Sequence, residues 1–121
     1  MASSIRHENQ EAYTDMRNLK WSPVEKTIAR KAFDSALRRE LEAVIREAKN
    51  RAARIEQTSE LWELERWLTQ RRQQIDRTYD YRYSVLPLVF GTLIREGRLS
   101  EQELHGLAED KLACIRQLAR P

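Results

Sequence analysis

One cysteine, three glycines, three prolines and two histidines in 121 residues leave little room for several common chemistries. The lone Cys114 excludes an internal disulfide and a thiolate zinc cluster. So few glycines and prolines cannot supply the turns of a β-sandwich or barrel, which makes an all-α protein the expectation. No apolar run approaches the ~18 residues that a membrane-spanning helix needs. The first twenty residues are polar and carry Glu8, Glu11 and Asp15, which argues against a signal peptide and for the cytoplasm. His7 and His105 stand apart, and no Cys, His or Asp cluster has metal-ligand spacing. There is no glycine-rich phosphate loop, and no hydroxyl has a base placed to activate it. The expectation is therefore no enzyme, no metal and no cofactor.

Charge is abundant instead. Lys+Arg is 22 against 19 for Asp+Glu, a net charge of +3, and 17 of the basic residues are arginine. The isoelectric point of about 9.2 invites a nucleic-acid reading. The arginines, however, are interleaved with acids, as in Arg38-Arg39-Glu40 and Glu63-Leu64-Glu65-Arg66. Glu42 precedes Arg46 by four residues and Glu47 precedes Arg51 by four, the spacing of a solvated helix face. A nucleic-acid footprint needs basic residues gathered on one side. Arg66, Arg71, Arg72 and Arg77 come nearest, with Glu65 and Asp76 among them, so no nucleic-acid partner is expected.

Residues 1–20 show no sustained period and read as a mobile tail; residues 21–121 read as one helical domain. Its start is marked by Trp21-Ser22-Pro23-Val24-Glu25: Ser22 as cap, Pro23 in the first turn, Glu25 closing a capping box, and Trp21 placed to staple the entry. A helical apolar period then runs through Ile28, Phe33, Leu37, Leu41, Ile45 and Ile55, predicting a helix over about 23–56. Such a rod is too long for a chain of this size to cover, so its length calls for a partner: the next helix, a second copy, or both. Gln57-Thr58-Ser59 breaks the pattern, with either hydroxyl residue available as cap, and a second helix is predicted over about 60–80. Its stripe is Leu61, Leu64, Leu68, Ile75 and Tyr79. Where another apolar residue is due, Arg71 or Arg72 stands instead. That charge must either reach water past its own stem or meet an acid across an interface. Trp62 and Trp67 fall on opposite flanks of the stripe, and exposed Trp beside Arg is the chemistry of interface hot spots.

After the polar-aromatic junction Asp80–Ser84, the run Val85–Ile94 is apolar nearly all round, as a short buried helix would be, and Glu96-Gly97 supplies its stop. Ser100 with Glu103 forms a second capping box, predicted to open one last amphipathic helix carrying Leu104, Leu107, Leu112, Ile115 and Leu118. The organisation is two long helices over 21–82, used for dimerisation, and a compact helical head over 83–121 (its helices within about 84–119).

The order and spacing of several segments resemble the cyanobacterial fluorescence recovery proteins. They are Leu61-Trp62-Glu63-Leu64, Arg72-Gln73-Gln74-Ile75-Asp76, Tyr79-Asp80-Tyr81-Arg82-Tyr83-Ser84-Val85, Leu93-Ile94-Arg95-Glu96-Gly97 and Leu107-Ala108-Glu109-Asp110-Lys111. Trp21-Ser22 with Glu25, and Arg39-Glu40-Leu41, extend the likeness upstream. The resemblance implies an all-α antiparallel homodimer through the long helices. It also implies a partner, the light-activated orange carotenoid protein or a related carotenoid-binding domain, bound mainly through that protein's C-terminal domain. The activity implied is faster reversion of the red form to the orange form and its detachment from the phycobilisome. Location would be cytoplasmic, with peripheral association to thylakoid-bound phycobilisomes through the partner.

By the same resemblance the dimer interface falls on Leu61, Trp62, Leu64, Leu68 and Arg72, and partner contacts on Trp62, Arg72, Glu65, Arg66, Leu88, Phe90, Lys111 and Cys114. Four positions depart from the family's residues. Its His-Asp pair is Glu65-Arg66 here, a reversal of charge on the face of Trp62. An aromatic of the head is Leu88, and a lysine is Cys114. The alternative left open is a helical dimer of this type that has lost the carotenoid-protein site and binds another protein.

Overall fold

The computed structural model describes residues 16–121; the expected tail falls largely outside the described residues. Helix α1 spans Pro23–Ala53. The Ser22 hydroxyl accepts from the Glu25 N–H at 3.2 Å, while Glu25 Oε1 accepts from the Ser22 N–H at 3.0 Å, so the capping box stands as read. With no Gly or Pro after the first turn, the helix runs 31 residues, about 46 Å at ~1.5 Å per residue. It stops three residues before the expected end. The Arg54 and Ile55 N–H groups bond back three residues, to Arg51 and Ala52, which tightens and ends the last turn.

Helix α2 spans Thr58–Thr78. The cap expected at Thr58 or Ser59 is not formed, because both lie inside the first turn; Gln57 occupies the cap position without a side-chain bond. The Glu60 carboxylate instead reaches back to the Glu56 N–H at 3.3 Å, which satisfies a donor of the turn. Helix α3 spans Leu86–Arg95, close to the expected buried segment. Gly97, at φ +76°, ends it: the Arg98 N–H reaches the Leu93 carbonyl at 2.8 Å, a turn that only a residue free of a Cβ enters cheaply.

The expected single last helix is two. The Ser100–Glu103 capping box is present, but it opens only a 3₁₀ turn, Glu101–Leu104. Helix α4 follows at Glu109–Ala119. Gly106 separates them at φ +105°, and a Cβ there would lie 2.6 Å from Ile28 Cδ1 of α1. The break lets both Leu104 and Leu107 turn inward against α1.

The core lies in the head. Leu86, Phe90, Leu93, Leu104 and Ile115 pack on a small-residue strip of α1 formed by Ala29, Ala32 and Ala36 with Phe33. The junction lies along this strip as a row of rings. Tyr79 and Tyr81 meet the Phe33 ring edge-on at 5.5 and 4.9 Å, Tyr83 follows Tyr81 at 5.6 Å, and Trp21 stands 5.6 Å beyond Tyr83. Trp21 thus packs on the head. No strand occurs among the described residues, and none of their helices is long and apolar enough to cross a membrane.

Candidate functional site: the outer face of the second helix

Helix α2 leaves the core and runs back along the distal half of α1. None of its residues is buried. Two contacts fix how it is turned. At its base, Arg71 is the basic residue on the seam. Its guanidinium donates to Glu40 of α1 at 2.9 Å and to the Gln74 side chain at 2.8 Å. Towards the tip, the Arg51 guanidinium lies over the half-buried Trp67 ring, 4.5 Å from its centre.

Glu40 is the node of this arrangement. It is 6 % exposed, and Arg98 from the head also donates to it, at 3.1 Å. The Tyr79 hydroxyl donates to it at 3.3 Å and to the Ala36 carbonyl at 3.2 Å. Burial first, and then the nearby Glu40 carboxylate, push the Tyr79 phenol well above its ordinary range, so it stays a donor at any ordinary pH. Arg39 continues the network, donating to the Arg98 carbonyl and to Glu103, both at 2.9 Å. One carboxylate thereby holds α1, α2 and the head loop in a single register.

Turning Arg71 inward places Arg72, about 100° further round, in solvent. Trp62 lies on the side of α2 opposite Arg71 and is 60 % exposed. Glu65 and Arg66, three and four residues on, share its face and are exposed. Arg72 stands about 80° away from Trp62 around the axis and ~15 Å along it, on an adjoining flank. Leu61 and Leu68 form an exposed apolar edge, with Leu64 half-buried beside them; Leu41 and Ile45 of α1 are exposed as well. Leu61, Trp62, Glu65, Arg66, Leu68 and Arg72 therefore all lie on the solvent side of α2, and Leu64 lies at its edge towards α1.

The expected head contacts are placed differently. Leu88 is half-buried, but Phe90 is wholly enclosed in the core and Lys111 is 2 % exposed. Lys111 Nζ lies 3.0 Å from Glu25 Oε2 and 5.5 Å from the centre of the Trp21 ring. Cys114 is buried too. Phe90 and Lys111 are thus enclosed within the head, and Cys114 packs with Met16 and Leu118. Glu25 has two attachments besides its cap: Oε2 accepts from the Ala108 N–H at 2.9 Å as well as from Lys111. Burial alone raises its pKa, but the Ala108 and Ser22 N–H groups and Lys111 outweigh it and hold the carboxyl down at about 2.

Glu25–Lys111 and Glu40–Arg71–Arg98 were not singled out as pairs from the sequence. Both have a periodic signal: Glu40 continues the row Ala29, Ala32/Phe33, Ala36, and Lys111 stands four before Ile115 and seven before Leu118. A charge at an apolar position of a packed face marks a buried partner. Among the described residues, no group of three or more His, Cys, Asp or Glu is placed to hold a metal ion.

Comparison with known proteins places this geometry among relatives. The sequence profile of the family described as photoprotection regulator fluorescence recovery protein matches residues 21–119. A fluorescence recovery protein of Synechocystis sp. PCC 6803 is 39 % identical over 100 residues, which is 83 % of this chain and 92 % of that protein. Among solved structures, the fluorescence recovery protein of Fremyella diplosiphon superposes with a TM-score of 0.80 at 42 % identity, covering 84 % of this chain and all of that one. The Synechocystis structure superposes with the same TM-score at 38 % identity and the same coverage.

Proposed function

The chain belongs to the fluorescence recovery protein family of photoprotection regulators, and from that premise we propose a specific action for it. It works without making or breaking bonds, as a homodimer joined through α1 and α2. It binds the light-activated orange carotenoid protein, mainly at that protein's C-terminal domain, speeds return of the red form to the orange form, and helps release it from the phycobilisome. It does so in the cytoplasm, at thylakoid-bound phycobilisomes only through its partner.

The observation that carries this reading is the exposed Trp62 on a helix that buries nothing in its own chain. A large aromatic in water is costly to keep there, and it becomes an anchor once a partner desolvates it. Arg66 and Arg72 flank it and supply the charge that orients the partner. To accelerate relaxation, the surface must favour the transition state for domain reclosure over the open state it first meets. A rigid face that holds one domain while its mate returns does this, and the Glu40–Arg71 anchor provides the rigidity.

The test is dark recovery of a photoconverted orange carotenoid protein, followed by absorbance with and without this chain. Acceleration at substoichiometric amounts is expected, and Trp62→Ala with Arg72→Ala should reduce it at least about tenfold. No acceleration by a demonstrably folded chain overturns the reading. One feature of this face favours a second reading: Arg66 shares it with Trp62, where the resemblance places an acid. Recovery gained on Arg66→Asp with Glu65→His would locate the loss in that pair, and continued silence would favour a different protein partner.

A further inference from the structure

The segment just before α1 lies outside the family match, which begins at Trp21, yet it has a defined seat. Met16 is 4 % exposed. It packs with Cys114 and Leu118 of α4, and Leu19 and Leu88 complete the cluster. None of these residues belongs to the main core built on Phe90, Leu93 and Ile115. Cys114 and Leu118 are four apart on α4 and so point to the same side of it. Leu88 of α3 also lines an open depression of about 360 Å³ with Val85, Val89 and Thr92, with Arg77 and Arg82 among its other walls. The upstream segment thus covers one bank of an apolar head face whose other bank stays open.

We infer that Met16–Lys20 is an intramolecular cover on this face of the head, and that a protein partner needing Leu88 and the side of α4 beside it must first displace it. The displacement rests on the function proposed above; the cover does not. Its seat is shallow: once the entropy of ordering a few residues is set against burial of one methionine, the covered state keeps only about a tenfold preference, so a competing apolar surface can remove it.

Cys114 reports the cover. Its reaction with a small aromatic disulfide reagent is compared in the full chain and in a chain beginning at Trp21. The rate should rise about tenfold on truncation, the factor set by releasing one buried methionine. Met16→Asp in the full chain should give the same rise, and adding a peptide of residues 1–20 to the truncated chain should reverse it. Circular dichroism must show equal helix content; if truncation unfolds the head, Met16→Asp decides. Equal thiol rates overturn the cover. In the partner arm, the truncated chain should bind the light-activated carotenoid protein about tenfold tighter; unchanged affinity alongside a changed thiol rate overturns the displacement. If neither chain binds it, the proposed function fails and the thiol rates still decide the cover.

Discussion

Helices α3 and α2 are opposites within one chain. Six of the ten residues of α3 are buried: Leu86, Pro87, Val89, Phe90, Gly91 and Leu93. None of the 21 in α2 is. Gly91 shows how tight the first environment is: a Cβ there would stand 3.0 Å from the backbone of Leu118 and Ala119, so any larger residue would push α4 away from α3. The second helix is held at two points, Arg71 on Glu40 and Trp67 under Arg51, and its Leu61, Trp62 and Leu68 face outward. Helices in water draw most of their stability from packing an apolar face. The head thus completes its core within one chain, on α1, whereas α2 leaves most of its surface in water, the surface that a second chain covers in the dimer proposed above.

The contrast can be broken from either side, beginning where the effect is largest. Phe90→Ala empties the centre of the head and should cost about 3–5 kcal/mol, read as a drop in the urea midpoint. Glu40→Gln attacks the link between the two regions. It leaves Arg71 and Arg98 facing a neutral amide, and because those side chains keep 27 % and 31 % exposure the cost should be about 2 kcal/mol, below that of a fully enclosed pair. Hydrogen exchange should quicken in α2 more than in α3; equal quickening in both would mean that Glu40 serves the whole fold rather than the register of α2.

The smallest effect sharpens the head side and depends on pH. Glu25 titrates lower in the folded chain than in the unfolded one, at about 2 against 4.5. Its contribution is therefore present above the unfolded value and is lost as pH falls from about 4.5 to about 2. Denaturant midpoints of Glu25→Gln should be lower than those of the parent at neutral pH, where Lys111 is left with Asp110 at 3.4 Å, and should converge on them towards pH 2. Parallel curves would show that another carboxyl sets the acid limb.

Much of this was legible beforehand, and the exceptions share a cause. Both capping boxes and the glycine stop at Gly97 are local, and local rules found them. The sequence left Arg71 or Arg72 either to reach water past its own stem or to meet an acid; that Arg71 turns in and meets Glu40 is set by the turn of α2 against α1, a tertiary fact. The split of the last helix at Gly106 was missed because the leucine spacing continues across it. What decides there is how closely Ile28 approaches, from 78 residues earlier in the chain. Phe90 and Lys111 were expected at a contact surface, and the fold encloses both. Lys111 in particular reads as a surface lysine until Glu25 and Trp21 are brought over it. The shared exposed face of Trp62, Glu65 and Arg66 follows from helical phase alone and was legible; that Arg72 rather than Arg71 adjoins it was not.

The central claim is that α2 owes its packing to a second chain. Light scattering at micromolar concentration tests it most directly. The mass should be about twice 14.4 kDa, and Leu61→Glu, a charge on the apolar edge, should bring it towards 14.4 kDa while leaving the head folded. A monomeric mass for the unaltered chain would contradict the account: α2 would then be a helix that stands in water with its leucines and Trp62 uncovered.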